Sequence, residues 1–152
     1  MIMKIVRYEE KHIQDVVSYE LTLRNEEPDW GWEINEEYIN KVSSSFCDSK
    51  YNNALSFIAY IDNKVVGRID ASLIPTHFDG SMKAYLDWIC VLKSYRHKGV
   101  AQALMKELRK VLKEEYNVDT LVGLIASNEE AQRFYRSLDK SIIRDEGIWI
   151  DC

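Results

Sequence analysis

The chain has no apolar run approaching the roughly 18 residues that a membrane-spanning helix requires. Its first residues, Met1-Ile2-Met3-Lys4-Ile5-Val6-Arg7, hold neither an apolar signal core nor a cleavage site, which points to a cytoplasmic location. Cysteine is scarce: Cys47, Cys90 and Cys152 are odd in number and far apart, so neither a disulfide framework nor a zinc site is expected. Both common phosphate-loop patterns, Gly-x-x-x-x-Gly-Lys-Ser/Thr and Gly-x-Gly-x-x-Gly, are missing. No Ser-His-Asp or Cys-His pairing suggests a covalent intermediate. Repeats, linkers and low-complexity segments are absent too, so residues 1–152 read as one domain with one sizeable core.

Charge is uneven. Residues 1–80 carry 8 basic and 14 acidic side chains, whereas residues 81–152 carry 12 and 11. An acidic first half disfavours nucleic acid as a partner. It suits a cationic one, or simply keeps the protein soluble.

What is present centres on Tyr85 to Leu112. Tyr85-Leu86-Asp87-Trp88-Ile89-Cys90-Val91 is the aromatic and apolar run of a buried strand. A basic loop, Tyr95-Arg96-His97-Lys98-Gly99-Val100-Ala101, follows. Val100, Ala101, Leu104, Leu108, Val111 and Leu112 then recur at helical spacing and mark one buried face. Gly99 and Ala101 let the backbone turn sharply beside the first N–H groups of that helix. Those groups lack helical acceptors and, with the helix dipole, favour an anion. Between positions 93 and 113, seven Lys and Arg side chains face a single acid, Glu107. The stretch is a pyrophosphate cradle by its chemistry.

Around it the pattern predicts a strand at Lys4 to Tyr8 and a helix through Ile13, Val16, Val17, Glu20 and Leu21. A loop at Asn25 to Glu33 precedes a second helix with Ile34, Tyr38, Ile39, Val42 and Phe46 in phase. Ala54 to Ile61 and Lys64 to Ile74 read as strands joined by the two-residue turn Asp62-Asn63. After the central helix come an apolar run at Val118 to Ile125 and the capping-box sequence Ser127-Asn128-Glu129-Glu130. The latter opens a helix to about Leu138, and a final hairpin is expected over Ser141 to Arg144 and Ile148 to Asp151. The order is β-α-α-β-β-β-α-β-α-β-β, an α/β chain with a mixed sheet and helices on both faces.

The loop carries Arg-x-x-Gly-x-Ala at positions 96–101, and Asn128 to Tyr135 spells Asn-x-x-Ala-x-x-Phe-Tyr. These resemble motifs A and B of the GNAT superfamily of acetyl-CoA-dependent N-acetyltransferases, in the family's order and at its separation. The resemblance extends over nearly the whole chain. It implies the GNAT fold, a strongly twisted mixed sheet of about seven strands flanked by four helices. After Phe-Tyr the family usually continues x-x-x-Gly-Phe, whereas Leu138-Asp139-Lys140 stands here.

The resemblance also implies acetyl-CoA as co-substrate and a primary amine as acceptor, with direct attack in a ternary complex and no metal. Cofactor contacts are then expected at Ile89, Cys90, Val91, Arg96, His97, Lys98, Gly99, Val100, Ala101, Gln102, Asn128 and Tyr135. Tyr135 is the expected general acid for the departing thiolate, and a backbone N–H near Ile89 to Val91, where the family splays two strands, the expected donor to the carbonyl. Asn128 and Tyr135 are seven residues apart, about two turns or roughly 10 Å along one helix face. The family's frequent glutamate on the next strand corresponds to Gly123, which leaves Asp87 as the expected base. On an alternating strand Asp87 shares a face with Ile89 and Val91. Asp70 and a water chain are the other candidates. Trp30 and Trp32 either line an acceptor pocket, stacking on a cation, or cover the core. Acidic residues and tryptophans in the first half favour a polyamine or an aminoglycoside-like compound. A peptide or protein acceptor, or a non-catalytic acyl-CoA sensor, is the alternative. Nucleic acid and membrane are not expected partners, and domains of this family often pair as homodimers.

Overall fold

The computed structural model describes residues 1–29, 31–138 and 145–152. Over these the chain runs β1 (Met3–Arg7), α1 (Ile13–Glu26), α2 (Glu36–Ser45), β2 (Ala54–Ile61), β3 (Lys64–Pro75) and β4 (Met82–Val91). It continues with α3 (Val100–Tyr116), β5 (Leu121–Gly123) and α4 (Glu129–Leu138). The fold is the expected mixed α/β arrangement.

Local chemistry accounts for the joints. Asp62 and Asn63 both take positive φ, 50° and 61°, the pair of left-handed residues that matches a tight hairpin to the strand twist. Asn35 Oδ1 caps α2 by accepting from Tyr38 N (3.0 Å), and Asn128 Oδ1 caps α4 by accepting from Ala131 N (2.9 Å).

The five strands lie in the order β1-β2-β3-β4-β5, antiparallel except for the parallel pair β4 and β5. Helix α3 lays Val100, Leu104, Leu108 and Leu112 on one face against Phe57, Val66, Ile69 and Leu86. Phe134, Tyr135 and Leu138 of α4 pack against this same cluster. On the other face Val16, Tyr19 and Leu23 of α1 meet Ile58, Val65, Cys90 and Leu92. Helix α2 buries no residue fully, so it covers rather than builds the core.

The described residues contain five strands rather than about seven. Residues 139–144, the first arm of the expected hairpin, lie outside them, as does the helix exit after Leu138. The second arm carries no strand: Ile148, Trp149 and Ile150 are exposed and have no ladder partner among the described residues. The run at Val118 to Ile125 forms only the three-residue β5, because its pairing with β4 stops at Leu86 and Gly123.

One irregularity positions everything that follows. Asp70 pairs with Trp88 but Ala71 pairs with Leu86, which makes Asp87 the extra residue of a β-bulge in β4. The bulge resets the alternation, so Ala84, Leu86, Ile89 and Val91 all contact the α3-side cluster. Asp87 therefore does not share a face with Ile89 and Val91, contrary to the strict alternation expected from sequence. A bulge bends its strand and sharpens its twist. Here it falls just where β4 parts from β5.

Candidate active site

The gap beyond the last β4–β5 pair opens into a cavity of about 670 Å³. Its floor is the end of β4 from Trp88 to Val91. One wall is the loop and first turn of α3, with Tyr95, Arg96, His97, Val100, Ala101 and Gln102. The opposite wall is α4 and its approach, including Ala126, Asn128, Phe134 and Tyr135.

The floor exposes backbone polarity. Leu92 N–H donates to Val66 O of β3 (2.8 Å), so the alternation of an antiparallel ladder turns the groups of Cys90 and Trp88 toward β3 as well. Those of Ile89 and Val91 point the other way, into the gap. Arg96 Nε takes the Val91 carbonyl at 3.0 Å. The neighbouring N–H groups are oriented for an acceptor oxygen in the cavity.

Two consecutive turns of unusual backbone shape the phosphate-type wall. His97 and Gly99 both have positive φ, 60° and 82°, and Gly99 is the N-cap of α3. The first α-helical bond is Ala103 N to Gly99 O (3.0 Å). The N–H groups of Val100, Ala101 and Gln102 therefore have no helical acceptor, and these residues line the cavity. Anion affinity there follows from the helix terminus. Lys98 and Gly99 do not line it; Lys98 Nζ sits 5.2 Å from the Tyr95 ring centroid.

Asn128 and Tyr135 both line the opposite wall, consistent with their seven-residue spacing. The Asn128 carbonyl oxygen is committed to the helix cap, which leaves its amide hydrogens for a ligand. Tyr135 packs edge-on against Phe134 at 5.1 Å, and its hydroxyl has no hydrogen-bond partner among the described residues. Burial raises its pKa above the ordinary 10.0, so the phenol keeps its proton at neutral pH. Glu130 does not close the capping box. Its carboxylate reaches Arg96 Nη1 (2.8 Å) and His97 Nε2 (3.4 Å) instead.

The remaining expected residues lie off the cavity lining. Asp87 accepts a hydrogen bond from Ser72 Oγ at 2.6 Å. Burial raises its pKa above the ordinary 3.8; the Ser72 bond lowers it and the Asp70 charge raises it further. Asp70 is occupied: it binds Arg68 through both oxygens (2.8 and 2.7 Å) and accepts from Ser56 Oγ (2.6 Å). Arg68 also meets Glu20, which is 1% exposed and is bonded in turn by Arg24. Trp32 lies 6.2 Å from Trp88 and 6.3 Å from Tyr38, and the Arg24 guanidinium sits 4.8 Å from its ring. The cation that stacks on Trp32 is thus one of the protein's own. Trp30 lies outside the described residues.

Sequence reasoning passed over Asp29, Gly31 and Trp88, which also line the cavity. Trp88 sits between expected site residues and was legible as a strand aromatic. Asp29 and Gly31 carry no local signal, because only the packing of α1 brings their loop here.

Fold and sequence together define an acetyltransferase. The profile of the acetyltransferase (GNAT) family matches residues 17–139, and the chain belongs to that family, whose members use acetyl-CoA as co-substrate. No curated protein matches the sequence. Solved structures resemble it in fold at low identity. An aminoglycoside acetyltransferase from an uncultured soil metagenomic sample, in complex with sisomicin, is 15% identical with a TM-score of 0.82, over 99% of this chain and 95% of that one. A ribosomal-protein-alanine N-acetyltransferase from Brucella melitensis is 18% identical with a TM-score of 0.73, over 99% and 100%. AAC(6')-Iy with a CoA-containing bisubstrate analogue is 18% identical with a TM-score of 0.74, over the full length of both chains.

Proposed function

We propose that residues 1–152 form a single acetyltransferase domain that acetylates a primary amine by direct attack, both substrates being bound together. The acceptor is a small cationic amine, a polyamine or an aminoglycoside-like compound. The observation that carries this reading is the cavity where β4 and β5 part, lined by Arg96, His97 and the first turn of α3 on one side and by Asn128 and Tyr135 on the other. The donor set fits acetyl-CoA: acceptor-free helical N–H groups beside His97 and Lys98 suit a diphosphate, and the Asn128 amide suits a pantetheine arm.

Bound acetyl-CoA supplies an activated acetyl thioester. The N–H groups of Ile89 and Val91 stabilise charge on its carbonyl oxygen. Tyr135 holds the proton that passes to sulfur as the carbon–sulfur bond breaks and the carbon–nitrogen bond forms. Asp87, directly or through water, takes the proton that the amine loses. Holding the two substrates in line is the larger part of the task.

Local charge supports a cationic acceptor. Glu20 and Asp70 are offset by Arg24 and Arg68, whereas Asp29 on the cavity wall offers a carboxylate that a cationic acceptor can meet. The aminoglycoside acetyltransferases among the solved structures point the same way. The test is thiol release from acetyl-CoA across polyamines, aminoglycosides, amino acids and peptides, with wild type and Tyr135→Phe. Release with a polyamine or aminoglycoside, reduced by the substitution, is the expected result. Release only with alanine-terminated peptides overturns the acceptor class, and acetyl-CoA binding without release by any amine overturns the reaction.

A further inference from the structure

Arg96 belongs to the loop motif and lines the cavity, and its side chain is held by groups from outside that loop. Its guanidinium side chain is 15% exposed and joins three elements that surround the cavity. Nε holds Val91 O at the end of β4. Nη1 is shared by two carboxylates, Glu130 Oε2 at the start of α4 (2.8 Å) and Glu27 Oε1 just past the end of α1 (3.1 Å). The neighbouring Glu26 Oε2 accepts from Lys93 N at 2.7 Å, so two successive acids fasten the end of α1 to the cofactor-side loop. Just beyond them, Asp29 and Gly31 line the cavity and Trp32 meets Trp88.

The two carboxylates differ in setting. Glu27 is 21% exposed and stands outside the cavity lining. Glu130 is 48% exposed, lines the cavity, and also faces His97 on the loop where a diphosphate would sit. An anion in that cradle repels Glu130 and competes with it for His97. As Glu130 withdraws, Glu27 keeps its hold on Nη1, and a charge-assisted bond with one competitor fewer shortens and strengthens in a partly dry setting.

We propose that Glu27 and Arg96 form a tie through which diphosphate binding at the cofactor loop fixes the acceptor-side residues Asp29, Gly31 and Trp32, making Glu27 a positioning residue for the acceptor. The tie rests on the cofactor reading above.

The test uses full-length protein, coenzyme A as probe, calorimetry for affinity and hydrogen exchange at the amides of Asp29, Gly31 and Trp32. In wild type, coenzyme A slows exchange of those amides, by about tenfold for a coupling of ordinary size. In Glu27→Gln, and in Glu27→Asp, which falls one methylene short of Arg96, the slowing drops below about twofold while coenzyme A affinity stays within about fivefold, the loss that reciprocal coupling allows. Equal slowing in wild type and both variants overturns the tie and leaves the cofactor reading intact. A wild-type protein that binds no coenzyme A overturns the cofactor reading and the tie with it.

Discussion

Ser72 Oγ donates to Asp87 Oδ2 at 2.6 Å, and the carboxylate it reaches belongs to the one residue that the β4 bulge leaves unpaired with β3. The hydrogen bond favours the charged form of Asp87 while burial opposes it, and burial is the larger effect. A base with a raised pKa works only when deprotonated, so activity falls as pH drops through that value. The acid limb of kcat/KM is therefore expected above the ordinary carboxylate pKa of 3.8. Removing the bond in Ser72→Ala shifts the limb to higher pH. A limb that stays in place, or moves down, shows that another group is the base.

Replacing the carboxylate itself is the stronger test. Asp87→Asn is expected to lower kcat/KM by about 10²-fold or more, at the low end of what a positioned general base contributes. The variant keeps a hydrogen-bond acceptor for Ser72, so its melting temperature should stay close to wild type. Retained turnover in thiol-release assays would assign the proton to water or another acid.

Tyr135→Phe removes one hydroxyl from a side chain that otherwise packs on Phe134 and the core. It is expected to lower kcat by about 10²-fold, a typical general-acid contribution, with acetyl-CoA affinity nearly unchanged by calorimetry. The raised pKa of the phenol means that its ionisation should not limit wild-type activity below pH 10. A loss of affinity equal to the loss of rate would make Tyr135 a binding residue instead.

Gly99 has φ +82°, and a Cβ built there meets no atom within 4 Å. Gly99→Ala should therefore cost only the backbone strain of a left-handed residue, about 1–2 kcal/mol. For a chain of this size that lowers the melting temperature by about 3–6 °C. A larger loss would mean that the loop packs more tightly around Gly99 than the geometry indicates.

Glu20 is buried between Arg24 and Arg68 on the sheet face that α1 covers. Glu20→Ala leaves both guanidinium groups short of a charge partner, and breaking a buried network in this way costs about 3–5 kcal/mol. Urea unfolding of the variant checks it. A change below about 1 kcal/mol would place these ions in the weak surface class.

Much of the chain was readable residue by residue because its signals are local. Apolar spacing in α3, the two-residue turn Asp62-Asn63, the sharp turn at Gly99 and the polar helix start at Ser127 to Glu130 each act within a few residues of themselves. The two motifs, Arg-x-x-Gly-x-Ala and Asn-x-x-Ala-x-x-Phe-Tyr, are of this kind and marked both walls of one cavity. Relations between distant strands and helices were not readable. The bulge at Asp87 depends on how β3 and β4 pair, and a one-residue register change transfers every later side chain to the other face. The same pairing decides where β5 leaves β4 and so where the cavity opens. Arg96 stood out by its motif and lines the cavity, but only the fold brings Glu27 and Glu130, 69 and 34 residues away in sequence, onto its guanidinium. Sequence left Trp32 open between stacking on a ligand cation and covering the core, and the fold brings Arg24 onto its ring. Sequence alone determined the helices, the first four strands, the family and the two walls of the site, since short-range hydrogen bonding and periodic burial specify those. Tertiary structure decided which face Asp87 takes, how Arg96 is used and how the acceptor-side loop reaches the cavity, since those depend on contacts that form only when the sheet is assembled.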